Sequence, residues 1–303
     1  MPLVSIITVN YNHPSVTEEM LESIFTKNDY DTIEIIVVDN GSKINPVPAW
    51  EKKYSNVLFI RSEKNLGFAG GNNLGIKYAK GELLFLVNND TEFTTGLVGK
   101  LEKVLTTNPL AGIVSPKIHY YNQANLLQYA GYTEMNFYTG RNGCIGQFEK
   151  DEGQYKSGET GYAHGAAMMV KKEAIEKAGV MSENFFLYYE ELDWCERIKK
   201  SGFKIWVETG ALIFHKESMS VGKQSALKEY FMNRNRILFE RKHASSFAFA
   251  VFITYFLLLV VPRNIVSYIK NKQYHFIPLF LKAIWWNFRN DVDSNLLYFP
   301  PSK

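Results

Sequence analysis

The chain has 303 residues, of which 46% are hydrophobic and 21% charged. This composition excludes wholesale disorder and a collagen-like repeat, and two cysteines are too few for a disulfide-stapled miniprotein. We expect Cys144 and Cys195 to be free thiols in a reducing compartment. The net charge is +3, but residues 216–303 carry 13 Lys or Arg against 5 Asp or Glu. Because this basic segment is also apolar, its composition favours a membrane surface over nucleic acid as a partner.

Short apolar runs alternate with helical patterns over residues 1–115. The predicted strands are Leu3–Val9, Glu34–Val38, Val57–Ile60 and Leu83–Val87. The predicted helices are Ser15–Thr26, Asn73–Ala79 and Leu97–Leu105. This alternation predicts an α/β fold with a mostly parallel central sheet and helices on both faces. Ligands of such sheets bind beyond the carboxyl ends of the strands.

The middle of the chain is less regular. Residues 115–161 are rich in Gly, Asn and Tyr, which predicts irregular loops and a hairpin. Regular patterns then resume, with strands predicted at Ala166–Val170, Lys204–Val207 and Leu212–Phe214 and helices at Lys172–Ala178 and Glu190–Lys200.

The C-terminal region contains two apolar segments. Ala244–Pro262 is free of formal charge over 19 residues; as a helix it would be about 28 Å long, close to the ~30 Å hydrocarbon core of a bilayer. Tyr274–Phe288 is the second segment and carries Trp285 and Trp286, whose rings suit the headgroup layer. Positive residues flank both ends of the first segment, which favours a membrane-seated helical pair over one spanning helix or a buried soluble helix.

Polar residues close the predicted strands at one edge of the sheet. They are Asn10 and Asn12 after the first strand, Asp39 and Asn40 after the second, and Asn89 and Asp90 after the strand from Leu83. A carboxylate such as Asp39 can accept the N3–H of a pyrimidine, and Asp90 is a hard oxygen ligand for Mg²⁺ or Mn²⁺. Asn40 and Asn89 also begin glycosylation sequons; because a glycan would block this edge, we expect the site to face the cytosol and the N-terminus to lack a signal peptide.

A glycine-rich segment, Asn65–Gly75, follows the third strand. Its residues Gly67, Gly70, Gly71 and Asn72 would allow a phosphate or sugar to approach the backbone; a plain flexible turn is the alternative. The spacing is neither a P-loop nor a dinucleotide fingerprint, which argues against a nicotinamide dehydrogenase.

Together these motifs resemble glycosyltransferase family 2, the inverting sugar-nucleotide transferases of GT-A fold. The resemblance covers roughly residues 3–242 and rests on motifs in the family's order: Val4–Asn12, Ile35–Ser42, Asn65–Gly75, Phe85–Asp90, Gly165–Met168, Phe185–Arg197, His215, Tyr230 and Arg234-Asn235. It implies a nucleotide-sugar-binding half at residues 1–115 and an acceptor-binding and catalytic half at 116–242. The apolar, basic composition of residues 243–303 predicts membrane-associating helices after them.

The resemblance also implies roles for individual residues. Asp39 would read the nucleobase, and Asp90 corresponds to the last carboxylate of the family's Asp-x-Asp metal motif. Asn88 stands where many members carry the first Asp. A divalent cation, Mn²⁺ or Mg²⁺, would therefore depend on Asp90 together with His215.

Inversion requires a base that removes the proton of the attacking hydroxyl. In the acidic run from Glu190 to Asp193 we assign this role to Glu191, with Asp193 as runner-up. Glu190, His164 and Gly165 are expected in the acceptor pocket. His164 could equally be a buried structural histidine. Arg234 is expected to hold the diphosphate or an anionic acceptor, with a solvated helix face as the alternative.

The sequence thus predicts a metal-dependent transferase that moves a sugar from dTDP-rhamnose or a UDP-hexose to a glycan hydroxyl. A lipid-linked acceptor and a location at the inner face of the cell membrane are expected, and surface polysaccharide synthesis is the expected process. The alternative is a catalytically silent subunit that binds nucleotide sugars and anchors or regulates a partner. Asn88 and Glu191, at chemically sensitive positions, prompt that alternative.

Overall fold

The computed structural model describes residues 1–216 and 225–298. Its strands form one sheet in the order β3-β2-β1-β4-β9-β6-β10-β5, with β7 beside β6 and β8 beside β10. The bounds are β1 Val4–Asn10, β2 Ile33–Asn40, β3 Val57–Ser62, β4 Leu83–Val87, β5 Thr91–Glu92, β6 Ala111–Tyr120, β7 Leu127–Tyr129, β8 Gly158–Glu159, β9 Ala167–Lys171 and β10 Lys204–His215.

Helices cover the sheet and form the C-terminal region. Their bounds are α1 Pro14–Lys27, α2 Val47–Lys53, α3 Gly67–Tyr78, α4 Leu97–Thr107, α5 Lys172–Ala178, α6 Glu190–Lys200, α7 Ala226–His243, α8 Ser246–Tyr255, α9 Val261–Lys270 and α10 Phe276–Arg289. The predicted α/β class is confirmed, because β1, β2, β3 and β4 pair in parallel and β6 pairs in parallel with β10. Strand β9 inserts antiparallel between β4 and β6. Cys144 and Cys195 are free.

Strand β6 departs from the prediction of irregular structure after residue 115. It continues to Tyr120, so the expected division at 115 falls inside a strand and one sheet runs through both predicted halves. Pro116 obscures this strand in the sequence, because proline cannot donate to a ladder. The partner strand β10 accommodates it with a bulge: the register jumps between Glu208, which faces Pro116, and Leu212. The two predicted strands around this bulge are therefore one.

The glycine-rich segment is the beginning of helix α3, not a flexible turn. The helix starts at Gly67, six residues before the predicted start at Asn73. A Cβ on Gly71 would lie 2.8 Å from Cγ1 of Val9, and one on Gly75 would lie 2.4 Å from Cγ2 of Ile7. These glycines therefore let α3 pack closely on strand β1.

The C-terminal helices pack against helix α7. Helices α8 and α9 are continuous through a π-helical turn at Phe256–Val260. The combined helix Ser246–Lys270 is long and apolar enough to cross a membrane, with a mean hydropathy of 2.0 over its most apolar window. Its inner face joins α7 and α10 in an aromatic-rich cluster that includes Ile237, Phe252, Phe256 and Phe280.

Candidate functional site

A cavity of about 460 Å³ opens at the carboxyl ends of strands β1, β2 and β4. Its wall combines strand-end residues, the start of α3, the end of β10 and the beginning of α7. The lining residues are Val9, Tyr11, Asn40, Asn65, Gly67, Phe68, Asn72, Val87, Asn88, Asn89, Asp90, Gln128, Gln147, His164, Phe186, Leu187, Tyr188, His215, Ser225, Leu227 and Lys228.

Asp90 and His215 form a pair in this wall. Nε2 of His215 lies 3.1 Å from Oδ1 of Asp90, and the two residues are 6% and 7% exposed. On the other side of the ring, Nδ1 of His215 lies 2.8 Å from Oε1 of Gln128. Because that amide oxygen can only accept, Nδ1 donates to Gln128, and Nε2 is the ring nitrogen that faces Asp90.

This geometry fits a divalent cation. Two acceptors 3.1 Å apart require a positive charge beside them, either a proton or a metal ion. A carboxylate oxygen and an imidazole nitrogen are ligands that Mn²⁺ accepts, and a hydrogen bond to the second ring nitrogen is the usual support of a ligating histidine. In residues 1–216 and 225–298 no three His, Cys, Asp or Glu side chains form a metal cluster.

Next to this pair, the cavity is lined by amide side chains and the start of α3. Asn40 donates from Nδ2 to the carbonyl oxygen of Gly67 at 2.9 Å and accepts the N–H of Leu66 at 2.9 Å. Gly67 has a φ of +75°, and a Cβ there would lie 2.2 Å from the carbonyl oxygen of Phe186, so only glycine fits. We call Asn40, Asn72, Asn89, Asp90 and His215 the donor wall.

Asp39 lies behind this wall. Its side chain is fully enclosed and accepts bonds from Nδ2 of Asn10 at 2.8 Å, Oγ of Ser42 at 2.5 Å and Arg61 at 2.6 Å. Asn12 accepts the N–H of Lys43 at 2.8 Å. Asp39, Asn10 and Asn12 therefore hold the loop after β2, and none of them lines the cavity. Gly70 and Gly71 likewise lie outside the lining.

Glu190 and Glu191 begin helix α6, directly after residues that line the cavity. Burial raises the pKa of Glu191, against the lowering effect of the backbone N–H groups at the helix start. Burial and the adjacent Glu191 raise the pKa of Glu190 still further. A Cβ on Gly165 would lie 3.9 Å from Oε1 of Glu191, so the absence of a side chain at position 165 keeps the space beside that carboxylate open.

His164 lies beside His215 of the donor wall. Its Nδ1 accepts the N–H of Ala166 at 3.0 Å, and its ring stacks on Tyr132 and meets His215 edge-on, 6.3 Å between centroids. Burial, with a smaller contribution from His215, lowers the pKa of His164 to about 3. The ring is therefore neutral, and Nε2–H is a donor at the cavity wall.

Asp193 is committed to a buried network. It accepts bonds from Ser182 at 2.8 Å, Arg197 at 2.9 Å and His243 at 2.8 Å. Burial would raise the pKa of Asp193, but the bonds from His243 and Arg197 outweigh it and lower the pKa. A fully enclosed carboxylate of low pKa is a poor proton acceptor, so the structure favours Glu191 over this runner-up.

The expectation for Arg234 is corrected. Its side chain is fully buried, lies 4.1 Å over the ring of Trp286 and donates to the carbonyl oxygen of Asn184 at 2.5 Å. It is neither on a solvated helix face nor in the cavity lining. The reason is that α10 covers α7 at this point, a contact that the sequence pattern of α7 does not show.

Several lining residues escaped the sequence analysis. Gln128 and Gln147 lie in the irregular region, where no periodic signal points to them. Phe186, Leu187 and Tyr188 lie within the Phe185–Arg197 motif, so that motif was the available signal. Leu227 and Lys228 also line the cavity, from the first turn of α7. No sequence signal pointed to them.

Comparison with known proteins agrees with this geometry. The family model "Glycosyl transferase family 2" matches residues 5–179, more than half of the chain. A "Low-salt glycan biosynthesis hexosyltransferase Agl10" of Haloferax volcanii is 27% identical over 77% of this chain and 74% of its own. An "N-acetylglucosaminyl-diphospho-decaprenol L-rhamnosyltransferase" of Mycobacterium tuberculosis is 22% identical over 73% of this chain and 78% of its own.

A solved structure supports the fold. The mannosyltransferase PcManGT from Pyrobaculum calidifontis, in complex with GDP-Man and Mn²⁺, superposes with a TM-score of 0.58 at 14% identity, over 95% of this chain and 87% of its own. The order of strands, the cavity at their carboxyl ends and the family match agree. This chain has the GT-A fold and belongs to glycosyl transferase family 2.

Proposed function

We propose that this protein transfers one sugar, with inversion and with the help of a divalent cation, from dTDP-rhamnose or a UDP-hexose to a hydroxyl of a lipid-linked glycan in cell-surface polysaccharide synthesis. The observation that carries the proposal is the pair of Asp90 and His215, 3.1 Å apart, in one cavity with Asn40, Asn72 and Asn89. Relatives named for hexosyl and rhamnosyl transfer support the reaction class.

The donor wall would receive the nucleoside diphosphate. Asp90 and His215 would hold Mn²⁺ or Mg²⁺, which when bound would supply the positive charge that the departing diphosphate needs. Gln128 would fix the tautomer of His215. The amides of Asn40, Asn72 and Asn89 would bind the sugar or the ribose by hydrogen bonds. Asp39 would support the nucleobase pocket from behind through Asn10 and Arg61.

Glu191 would act as the general base. Burial raises the pKa of Glu191 towards the neutral range, in which a general base is most effective. Glu190 beside it stays protonated over a wider pH range, so it would donate a hydrogen bond to the acceptor. His164, neutral and carrying Nε2–H, would orient the same hydroxyl beside Gly165.

The C-terminal helices would seat the protein on the inner face of the cell membrane, as the acceptor requires. Phe247, Leu258, Leu259, Trp285 and Phe288 are between 58% and 72% exposed, an arrangement that favours an apolar surface as partner. Arg263, Lys270, Lys272, Lys282 and Arg289 in the same helices supply charge for anionic lipid headgroups. The Mycobacterium tuberculosis relative is named for a decaprenol-linked acceptor.

A donor screen tests this proposal. The full-length protein, reconstituted with lipid vesicles and Mn²⁺, is incubated with each of dTDP-rhamnose, UDP-glucose, UDP-galactose, UDP-galactofuranose and UDP-N-acetylhexosamines, with a polyprenyl-diphosphate glycan as acceptor. Mass spectrometry should detect one sugar added from one donor, and NMR of the product should show the inverted anomeric configuration.

The same experiment separates the alternative of a silent nucleotide-sugar-binding subunit. That alternative draws support from the enclosed Asp39 and from the absence of Glu191 among the residues lining the cavity. Tight Mn²⁺-dependent binding of UDP or dTDP, with neither transfer nor donor hydrolysis for any donor, would favour the silent subunit and overturn the transferase proposal.

A further inference from the structure

The segment that carries the two carboxylates has a strained backbone. We call residues 184–191 the base segment. Phe186, Tyr188 and Tyr189 have φ values of 66°, 69° and 74°, a backbone region that strains residues carrying a side chain. Phe186, Leu187 and Tyr188 line the cavity, and Glu190 and Glu191 follow directly. The surrounding structure must therefore hold this segment in place.

Asn235 of helix α7 supplies the main hold. Its Nδ2 lies 2.9, 2.8 and 2.7 Å from the carbonyl oxygens of Phe185, Leu187 and Tyr188. Because the amide carries two N–H groups, one of them is shared between two of these oxygens. One fully buried amide thus contacts three carbonyl groups around the same left-handed turns. The carbonyl oxygen of Phe185 also accepts the N–H of Leu187 at 2.8 Å, so the amide of Asn235 matters most for the buried carbonyls of Leu187 and Tyr188.

Arg234 extends this hold to the start of the segment. Its guanidinium donates to the carbonyl oxygen of Asn184 at 2.5 Å and to Oδ1 of Asn235 at 3.0 Å. The second bond also fixes the orientation of the Asn235 amide, because the oxygen accepts from Arg234 and the nitrogen is left to donate to the base segment.

The C-terminal helix closes the arrangement from behind. Trp286 of α10 is fully buried under the guanidinium of Arg234, at 4.1 Å. Asn287 donates to the carbonyl oxygen of Arg234 at 3.0 Å, and Asn184 donates to the carbonyl oxygen of Val292 at 2.6 Å. The neighbouring Trp285 is instead 60% exposed. Helix α10 therefore exposes Trp285 on the outer surface and packs Trp286 against Arg234, which bonds to the base segment.

We propose that Asn235, supported by Arg234 and Trp286, is a positioning residue that sets the base segment and so places Glu191 for proton transfer. The C-terminal helices then have two roles: their outer faces contact the membrane and their inner face fixes the base. This inference rests on the proposed function for its catalytic part. Its structural part, the hold on residues 184–191, stands independently.

The test compares two asparagines of the same helix. Asn235→Ala removes the three bonds to the base segment, whereas Asn233→Ala removes only bonds to Glu229 on the same helix. Arg234→Lys, which keeps a cation, is a milder second variant in case Asn235→Ala folds poorly. Hydrogen–deuterium exchange of the full-length protein is measured over residues 184–191, together with kcat, the donor KM and the melting temperature.

Asn235→Ala should raise exchange in residues 184–191 by at least about tenfold and lower kcat by a similar or larger factor, with the donor KM within about threefold of wild type. Arg234→Lys should give a smaller change of the same pattern, and Asn233→Ala should match wild type. Unchanged exchange in Asn235→Ala and Arg234→Lys would overturn the hold. Raised exchange with unchanged kcat per folded molecule would overturn the positioning role. If wild type transfers no sugar, the proposed function fails and the exchange data still decide the hold.

Discussion

The donor wall and the base segment face the same cavity but are built in different ways. The donor wall consists mainly of residues that directly follow regular strands, as Asn40 ends β2 and Asp90 follows β4. The base segment has three left-handed non-glycine residues and is held by side chains about 50 positions further along the chain. The parallel strands fix one side, and long-range contacts fix the other.

Because the two sides are built differently, substitutions in them should alter different properties of the protein. Changes in the donor wall should affect binding of nucleotide and cation, because under the proposed function its residues would hold both from a rigid sheet. Changes in the base segment should affect turnover, because that segment stores strain that only its partners maintain. Substitutions on each side of the cavity, and in the helices that support the base segment, test this contrast.

The largest effect is expected from Glu191→Gln. Removing the base should lower kcat by about 10²–10⁴-fold, the usual contribution of a positioned base, while the Kd for UDP or dTDP stays within about twofold. Steady-state kinetics and calorimetric titration measure the two quantities. Glu173→Gln, an exposed change on α5, is the control. Full turnover in Glu191→Gln would remove the base from this position.

Asp90→Asn should act on the donor wall instead. Under the proposed function it removes one of the two protein ligands of the cation, so Mn²⁺-dependent nucleotide affinity should fall by at least about 10²-fold. A loss of about 10–100-fold in metal affinity is expected for Gln128→Leu, which releases His215. Titration of UDP or dTDP with and without Mn²⁺ measures this. Nucleotide affinity that is equal with and without Mn²⁺ in wild type would contradict the assignment.

Glu240→Gln tests how much a buried carboxylate destabilises helix α7, which supports the base segment. Neither carboxylate oxygen of Glu240 has a hydrogen-bond partner in the described residues, and burial raises the pKa of Glu240 to about 8. The folded state therefore binds this proton more tightly than the unfolded state, and stability is lost as the pH rises from about 4.5 to 8.

Glu240→Gln should accordingly stabilise the protein at pH 8 by on the order of 2 kcal/mol, with the gain disappearing towards pH 4.5. Urea unfolding at several pH values measures the free energy of unfolding. Glu176→Gln, on the surface of α5, should change it by less than about 0.5 kcal/mol. A stabilisation by Glu240→Gln that increases towards low pH would contradict the raised pKa of Glu240.

The smallest effect concerns the outer faces of the C-terminal helices. The double change Leu258→Glu and Leu259→Glu should weaken binding to anionic vesicles by at least about tenfold, since burying one leucine contributes about 1.5–3 kcal/mol. Co-sedimentation measures it. Ile44→Glu, at an 84% exposed position of the N-terminal half, is the control. Equal sedimentation of both variants and wild type would refute membrane contact through this surface.

Point changes are preferable here to deletion of the C-terminal helices. The sequence suggests that removing residues from 244 onward would release the protein from membranes and leave nucleotide binding intact. The structure shows that such a deletion also removes Trp286 and Asn287, which cover Arg234. The deletion would therefore disturb the base segment together with membrane contact.

The sequence predicted what regular structure determines. Strand β4 and helices α5 and α6 begin and end as expected, and Asp90 meets His215 although 125 positions separate them, because β10 returns beside β5. Prediction failed where a distant contact decides: Pro116 hides a strand that a bulge in β10 accommodates, and Arg234 looks like an anion-binding residue until α10 covers it. No local pattern signals the left-handed turns at Phe186, Tyr188 and Tyr189.

The central claim is that a divalent cation and a nucleoside diphosphate meet at Asp90 and His215. Crystals grown with UDP or dTDP and Mn²⁺, with anomalous diffraction data collected for manganese, test it most directly. We predict an anomalous peak about 2.0–2.3 Å from a carboxylate oxygen of Asp90 and from Nε2 of His215, with the diphosphate beside it. A nucleotide bound in this cavity with no manganese at these two side chains, or with manganese held elsewhere, would contradict the account.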